Sequence, residues 1–147
     1  MESSQNLWQQ KIFSLKSYKR GCHLITDEVL NNCPEISKYK IGLFTLLLKH
    51  TSASICINNC EDPNVKTYME EALNKVVPED TKLYRHTMEG KDDMPAHIKS
   101  ALIGTNLTIP IREGKLELGK DQGIWLCEHR DGTHTRTLVA TLNGVSN

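Results

Sequence analysis

Four of the six histidines stand in short polar strings: His50-Thr51-Ser52, Tyr84-Arg85-His86-Thr87, Met94-Pro95-Ala96-His97-Ile98-Lys99 and Cys127-Glu128-His129-Arg130. Imidazole is both the commonest metal ligand and the side chain that exchanges protons near neutral pH. His50, His86, His97 and His129 are therefore candidate metal or proton-transfer groups, and Glu128 is a candidate ligand or base. Within that set, His50, His97 and Glu128 are assigned the catalytic work, and His86, His97 and His129 the metal. Arg85, Lys99 and Arg130 are candidate anion contacts, and surface ion pairing is the other common use of such residues. A histidine cluster suits zinc, whereas magnesium prefers carboxylates and water, so a divalent metal is expected with its identity open between the two.

The chain that must position these groups is 147 residues long, the size of one domain, which buries roughly 70% of its unfolded surface. Lys+Arg and Asp+Glu both total 18, so neither a nucleic acid nor a membrane is expected as an electrostatic partner. No basic start or long apolar stretch appears, and a cytoplasmic protein is expected. Cys22, Cys33, Cys56, Cys60 and Cys127 are odd in number and contain no Cys-x-x-Cys pair, which fits a reducing compartment. Cys56 and Cys60 read either as buried structural thiols or as part of a soft metal site. With no repeat, low-complexity tract or flexible linker, residues 1–147 read as a single domain.

Hydrophobic patterning predicts strands at residues 7–15 and 23–25, then a helix over 27–33 with a cap at Thr26-Asp27. The apolar run at 41–48 predicts a strand buried on both faces, delivering the chain to His50. If 50–58 is extended, His50, Ser52, Ser54, Cys56 and Asn58 share one polar face and Ile55 and Ile57 lie on the other. That polar face is either solvated or a site, and Ser52 and Asn58 are candidate substrate contacts. Asp62-Pro63 starts a structural helix carrying Val65, Met69, Ala72, Leu73 and Val76. A polar loop follows, in which His86 enters from one side. Asp92 or Asp93 then caps a helix with Pro95 in its first turn and Gly104 at its end. Asp93 sits one helical step before His97, placed either to orient that imidazole or merely to cap the helix beside a packed histidine. Strands over 106–111, 116–118, 122–130 and 136–142 complete the chain. Strand parity turns Glu128 and His129 to opposite faces, so one pocket can use both only through a bulge or a neighbouring subunit.

Together the strings resemble the YjbQ family, also known as the UPF0047 or secondary thiamine-phosphate synthase family. The resemblance rests on His50-Thr51-Ser52-Ala53-Ser54, Asn58, Asp62-Pro63, Val77-Pro78-Glu79-Asp80, Tyr84-Arg85-His86-Thr87, Asp92-Asp93-Met94-Pro95-Ala96-His97-Ile98-Lys99, Leu107-Thr108-Ile109-Pro110, Leu118-Gly119, Gln122-Gly123-Ile124 and Glu128-His129-Arg130. It implies an α+β fold with antiparallel sheets in a sandwich-like arrangement, about three short helices and assembly as a homotrimer. It further implies a histidine-rich pocket near subunit contacts and a phosphorylated small-molecule substrate. The implied reaction joins a pyrimidine methyl diphosphate to a thiazole phosphate and releases diphosphate. A metal-assisted hydrolase and a noncatalytic trimeric ligand-binding protein are the alternatives. One departure stands out: relatives usually read Gly-Thr-Trp-Gln-Gly where this chain has Gly119-Lys120-Asp121-Gln122-Gly123. Asp121 in place of a large aromatic alters a pocket wall or a subunit contact.

Overall fold

The computed structural model describes residues 5–80, 82–84 and 89–147. Eight strands and three α-helices follow one another in the order β1 (Asn6–Ser14), β2 (Tyr18–Leu24), α1 (Thr26–Asn32), β3 (Tyr39–Leu48), β4 (Ala53–Asn59), α2 (Val65–Val76), α3 (Asp93–Ile103), β5 (Asn106–Arg112), β6 (Lys115–Leu116), β7 (Gln122–His134) and β8 (Thr137–Ser146). A 3₁₀ turn at Pro34–Lys38 links α1 to β3. The strands form a five-stranded sheet in the order β1-β8-β3-β5-β6 and a three-stranded sheet in the order β2-β7-β4. Every pairing is antiparallel. The fold is α+β, and no helix among the described residues is long and apolar enough to cross a membrane.

Strand alternation explains the layering. Ala53, Ile55, Ile124 and Leu126 turn one face of the small sheet toward Phe13, Phe44, Leu46, Ile109, Leu138, Ala140 and Leu142 of the large sheet, and this is the main core. The opposite face of the small sheet carries Cys22, Trp125 and Cys127, against which Val65 and Met69 of α2 and Ile103 of α3 pack. The molecule is thus three layers deep: large sheet, small sheet, then α2 and α3. The polar side of β4 is therefore roofed by helices rather than bathed in solvent, and Ser52 and Ser54 are buried.

Three local expectations are corrected. The β3 run is buried on one face only, because nothing among the described residues covers the outside of the large sheet: Ile41, Leu43 and Leu47 are 62%, 50% and 43% exposed. Thr26 lies inside α1 and its hydroxyl accepts from the Ile124 N–H, tying α1 to β7 instead of capping the helix. Asp92 precedes α3 but makes no side-chain cap, since its carboxylate is held by Arg130 and the Asp131 N–H. Gly104 does end α3, with a φ of 103° that a residue with a Cβ rarely adopts. At Gly42 and Gly144, directly paired in β3 and β8, the strands come so close that a Cβ on Gly144 would lie 2.1 Å from the Ile41 carbonyl oxygen.

Candidate functional site

The chain leaves β3 at Leu48 and enters β4 at Ala53, and His50, Thr51 and Ser52 occupy that short connection. Helix α3 runs past it and, with Gly104 and Thr105 beyond its end, encloses a cleft of about 580 Å³ lined by His50, Thr51, His97, Ser100, Ala101 and Thr105. Ser100 anchors α3 to the strand by donating to the Ala53 carbonyl at 2.7 Å.

His97 sits on the first turns of α3, one helical step from Asp93, with its Nε2 3.3 Å from Asp93 Oδ2. Its Nδ1 lies 2.9 Å from the Thr51 carbonyl and 3.2 Å from Ser52 Oγ. A carbonyl only accepts, so Nδ1 carries a hydrogen, and Nε2 faces the Asp93 carboxylate. The succession Ser52, His97, Asp93 looks like a nucleophile triad, but a ring that already donates from Nδ1 cannot remove the hydroxyl proton of Ser52. Asp93 stands one helical step from the ring, at the spacing expected of it. Arg130 secures it, donating from Nη1 to Asp93 at 2.9 Å, from Nε to Asp92 at 3.0 Å and from Nη2 to the Glu89 carbonyl at 2.9 Å. Burial works to raise the Asp92 carboxyl, yet the Asp131 N–H and Arg130 outweigh it and hold it below its ordinary value.

His50 is exposed, and its Nδ1 accepts the Ser52 N–H at 3.0 Å. Partial desolvation and the Arg136 guanidinium lower its pKa below the usual imidazole value. A neutral ring whose Nδ1 accepts must carry its hydrogen on Nε2. His50 therefore offers the cleft a donor, not a base.

His129 occupies the helix side of β7 and is buried, with Nε2 2.9 Å from Ser54 Oγ and Nδ1 unpartnered among the described residues. Burial first, then the charges of Lys99, Arg20 and Arg136, lower its pKa to about 3. A lone pair at Nδ1 suits that positive field, which puts the hydrogen on Nε2 facing Ser54. Lys99 is 1% exposed and donates to Asn74 Oδ1 at 2.7 Å. Arg20 on β2 closes the network, reaching Glu70 at 3.0 Å, Asp131 at 3.1 Å, Asn74 at 2.8 Å and Glu79.

The expected site residues thus divide. His50 and His97 line the cleft, and the buried Ser52 stands behind them, 3.2 Å from His97 Nδ1. Glu128 lies on the opposite face of β7 from His129, as parity requires, with no exposed surface. Both its carboxylate oxygens are bound by Arg136 at 2.6 Å, so it is not placed to serve as a base or ligand for the cleft. Lys99 and Arg130 serve the buried scaffold, away from the residues that line the cleft. Asn58 lies at the far end of β4, in a shallow cavity with Asp62, Tyr68 and Met69. Arg85 and His86 lie outside the described residues. Arg20, Asn74 and Arg136 were not anticipated: Arg20 and Asn74 meet partners distant in sequence, and Arg136 meets Glu128 across the β7–β8 connection.

Of the three histidines expected to hold a metal, His86 lies outside the described residues. Among the described residues no three His, Cys, Asp or Glu side chains are grouped as a metal ion would require. The charges of Lys99, Arg20 and Arg136 that lower the His129 pKa also oppose a dication there. A further cavity of about 480 Å³ between α1 and the β5–β6 hairpin is lined mainly by apolar groups such as Leu30, Ile36 and Leu116 and brings no catalytic set together.

Comparison with known proteins agrees with this architecture. A family model described as "UPF0047 protein YjbQ-like" matches residues 11–145. The chain is 46% identical over 138 residues to the UPF0047 protein YjbQ of Escherichia coli O157:H7, covering 94% of this chain and 99% of that protein. It is 47% identical over 135 residues to the UPF0047 protein sll1880 of Synechocystis, covering 92% and 91%. Among solved structures, an uncharacterised YjbQ/UPF0047-family protein of Clostridium acetobutylicum superimposes with a TM-score of 0.69 at 32% identity, covering 90% of this chain and 97% of that one. A YbjQ-like protein of unknown function from Sulfolobus solfataricus shares the fold, with a TM-score of 0.81 at 19% identity over 95% and 99% of the two chains.

Proposed function

The chain belongs to the UPF0047 YjbQ-like family, and from that premise we propose that the cleft beside α3 binds a phosphorylated small molecule and expels diphosphate from it. The reaction is that of a thiamine-phosphate synthase. The thiazole ring nitrogen attacks the pyrimidine methylene carbon as the C–O bond breaks, and the electron pair leaves with diphosphate. That substitution consumes and releases no proton, so the enzyme needs donors for the leaving oxygens rather than a base.

The observation that carries the reading is the tautomer of His50: its Nδ1 is occupied by the Ser52 N–H, which leaves Nε2–H to meet an anion. His97, beside Asp93, lines the same cleft and presents a second imidazole to the leaving group. Thr51 and Thr105 line the same cleft and add hydroxyl donors. The confinement of Glu128 by Arg136 is compatible with this chemistry, which asks nothing of a carboxylate base. No step is assigned to a metal.

Assembly as a homotrimer is part of the proposal. The outer face of the large sheet exposes Trp8, Ile12, Ile41, Leu43 and Leu47. Register aligns Trp8, Asn143, Leu43 and Pro110 in one row and Ile12, Val139 and Leu47 in another. Two exposed apolar rows flanking the polar row Gln10, Thr141, Thr45 and Thr108 suit a protein interface.

The test supplies both precursors to the purified protein, with its metal content measured. Equimolar thiamine phosphate and diphosphate, lost in His97→Ala, is the expected result. Water-dependent cleavage of one precursor alone would indicate a hydrolase, and saturable binding without turnover a ligand-binding protein.

A further inference from the structure

Three of the five cysteines meet under the helices, on the face of the small sheet that also bears His129. Cys127 stands on the central strand β7, Cys22 directly opposite it on β2, and Cys56 diagonally across on β4. The Sγ atoms of Cys22 and Cys127 are 3.3 Å apart. Directly opposed residues in an antiparallel pair have Cα atoms about 4.5 or 5.5 Å apart, and both spacings lie within the window a disulfide spans. Closing the bond to about 2.05 Å asks the two sulfurs to approach by only about 1.2 Å.

We propose that Cys22, Cys56 and Cys127 form an oxidation site at which hydrogen peroxide converts Cys22 and Cys127 to a cross-strand disulfide, with Cys56 the thiol oxidised first. Cys56 is the half-buried member of the trio, whereas Cys22 and Cys127 are only 4% and 1% exposed. A hydrogen bond from Cys127 favours the Cys56 thiolate, outweighing burial.

The Cys56 thiolate attacks one peroxide oxygen, giving a sulfenic acid and hydroxide. The Cys127 sulfur then attacks the Cys56 sulfur, and its proton leaves with the sulfenic oxygen as water. Cys22 finally attacks the Cys127 sulfur and returns Cys56 as a thiol, its own proton passing to Cys56. Two thiols are oxidised to one disulfide, and the peroxide is reduced to two waters.

The experiment treats the reduced full chain with hydrogen peroxide, blocks remaining thiols by alkylation and maps the digest by mass spectrometry without reductant. The expected product is a Cys22–Cys127 peptide pair lighter by two hydrogens and restored by dithiothreitol. Cys56→Ser is expected to slow its appearance about tenfold. Cys22→Ala, with its fold verified by circular dichroism, is expected to accumulate a Cys56–Cys127 pair instead. Alkylated Cys22 and Cys127 alongside sulfinic acid at Cys56, an unchanged rate in Cys56→Ser, or a disulfide formed by Cys33 or Cys60 would each overturn the proposal.

Discussion

Lowering the pH from 7.5 to 5 is expected to remove about 2 kcal/mol of stability through His129 alone. Burial and the neighbouring Lys99, Arg20 and Arg136 hold its folded pKa at about 3, against 6.5 for an ordinary imidazole. The folded form stays neutral across this range while the unfolded form takes up a proton. The stability is therefore fully present above pH 6.5 and is lost as the pH falls toward 3. At pH 5 the unfolded chain gains about 1.5 units of protonation free energy at about 1.4 kcal/mol each, which is the 2 kcal/mol stated. Denaturant unfolding of the native chain and of His129→Gln at both pH values isolates this contribution, because every carboxylate effect is common to the two proteins. Glutamine retains an N–H for Ser54 but does not titrate. The native chain is expected to lose about 2 kcal/mol more than the variant between the two conditions. Equal losses would refute the placement of a neutral histidine among these cations.

Three further outcomes are expected. Removing the His50 donor with His50→Ala is expected to weaken diphosphate binding by roughly 10- to 100-fold in calorimetric titration, the usual worth of a hydrogen bond to a charged group; unchanged affinity would contradict its role. Glu128→Gln leaves the Arg136 guanidinium buried beside a neutral side chain and is expected to cost about 3–5 kcal/mol in urea unfolding, while Glu128→Leu combined with Arg136→Met recovers most of it. A cost in the single variant below about 1 kcal/mol would show that the pair is solvated. Leu43→Lys on the outer sheet face is expected to reduce the assembly to monomers by sedimentation velocity, and an unaltered sedimentation coefficient would place the interface elsewhere.

The sequence patterning located most strands and helices because apolar periodicity reports one-sided burial directly, and it marked α3 well enough to place Asp93 one turn from His97, but it caught only the end of β2 (Tyr18–Leu24) and began β4 at His50 where the strand starts at Ala53. It also separated Glu128 from His129, since parity along β7 depends only on extended backbone. It failed where the partner is remote or absent. The β3 run is as apolar as a doubly buried strand because its outer residues form a bare sheet face, and an interface and a core share that composition. Asp92 sits where a cap would, but Arg130 competes for its carboxylate from 38 residues away. Lys99 and Arg130 look like anion contacts in the sequence, and only the three-dimensional neighbours Asn74, Asp92 and Asp93 reveal that their donors are already in use.

The most direct test of the account is a nitrogen-15 NMR titration of the imidazole rings with inorganic diphosphate at neutral pH. The account predicts that free His50 is the Nε2–H tautomer, and that the ring signals of His50 and His97 shift together and saturably as diphosphate fills the cleft. A His50 ring protonated on Nδ1, or saturable binding that leaves both signals in place, would contradict it.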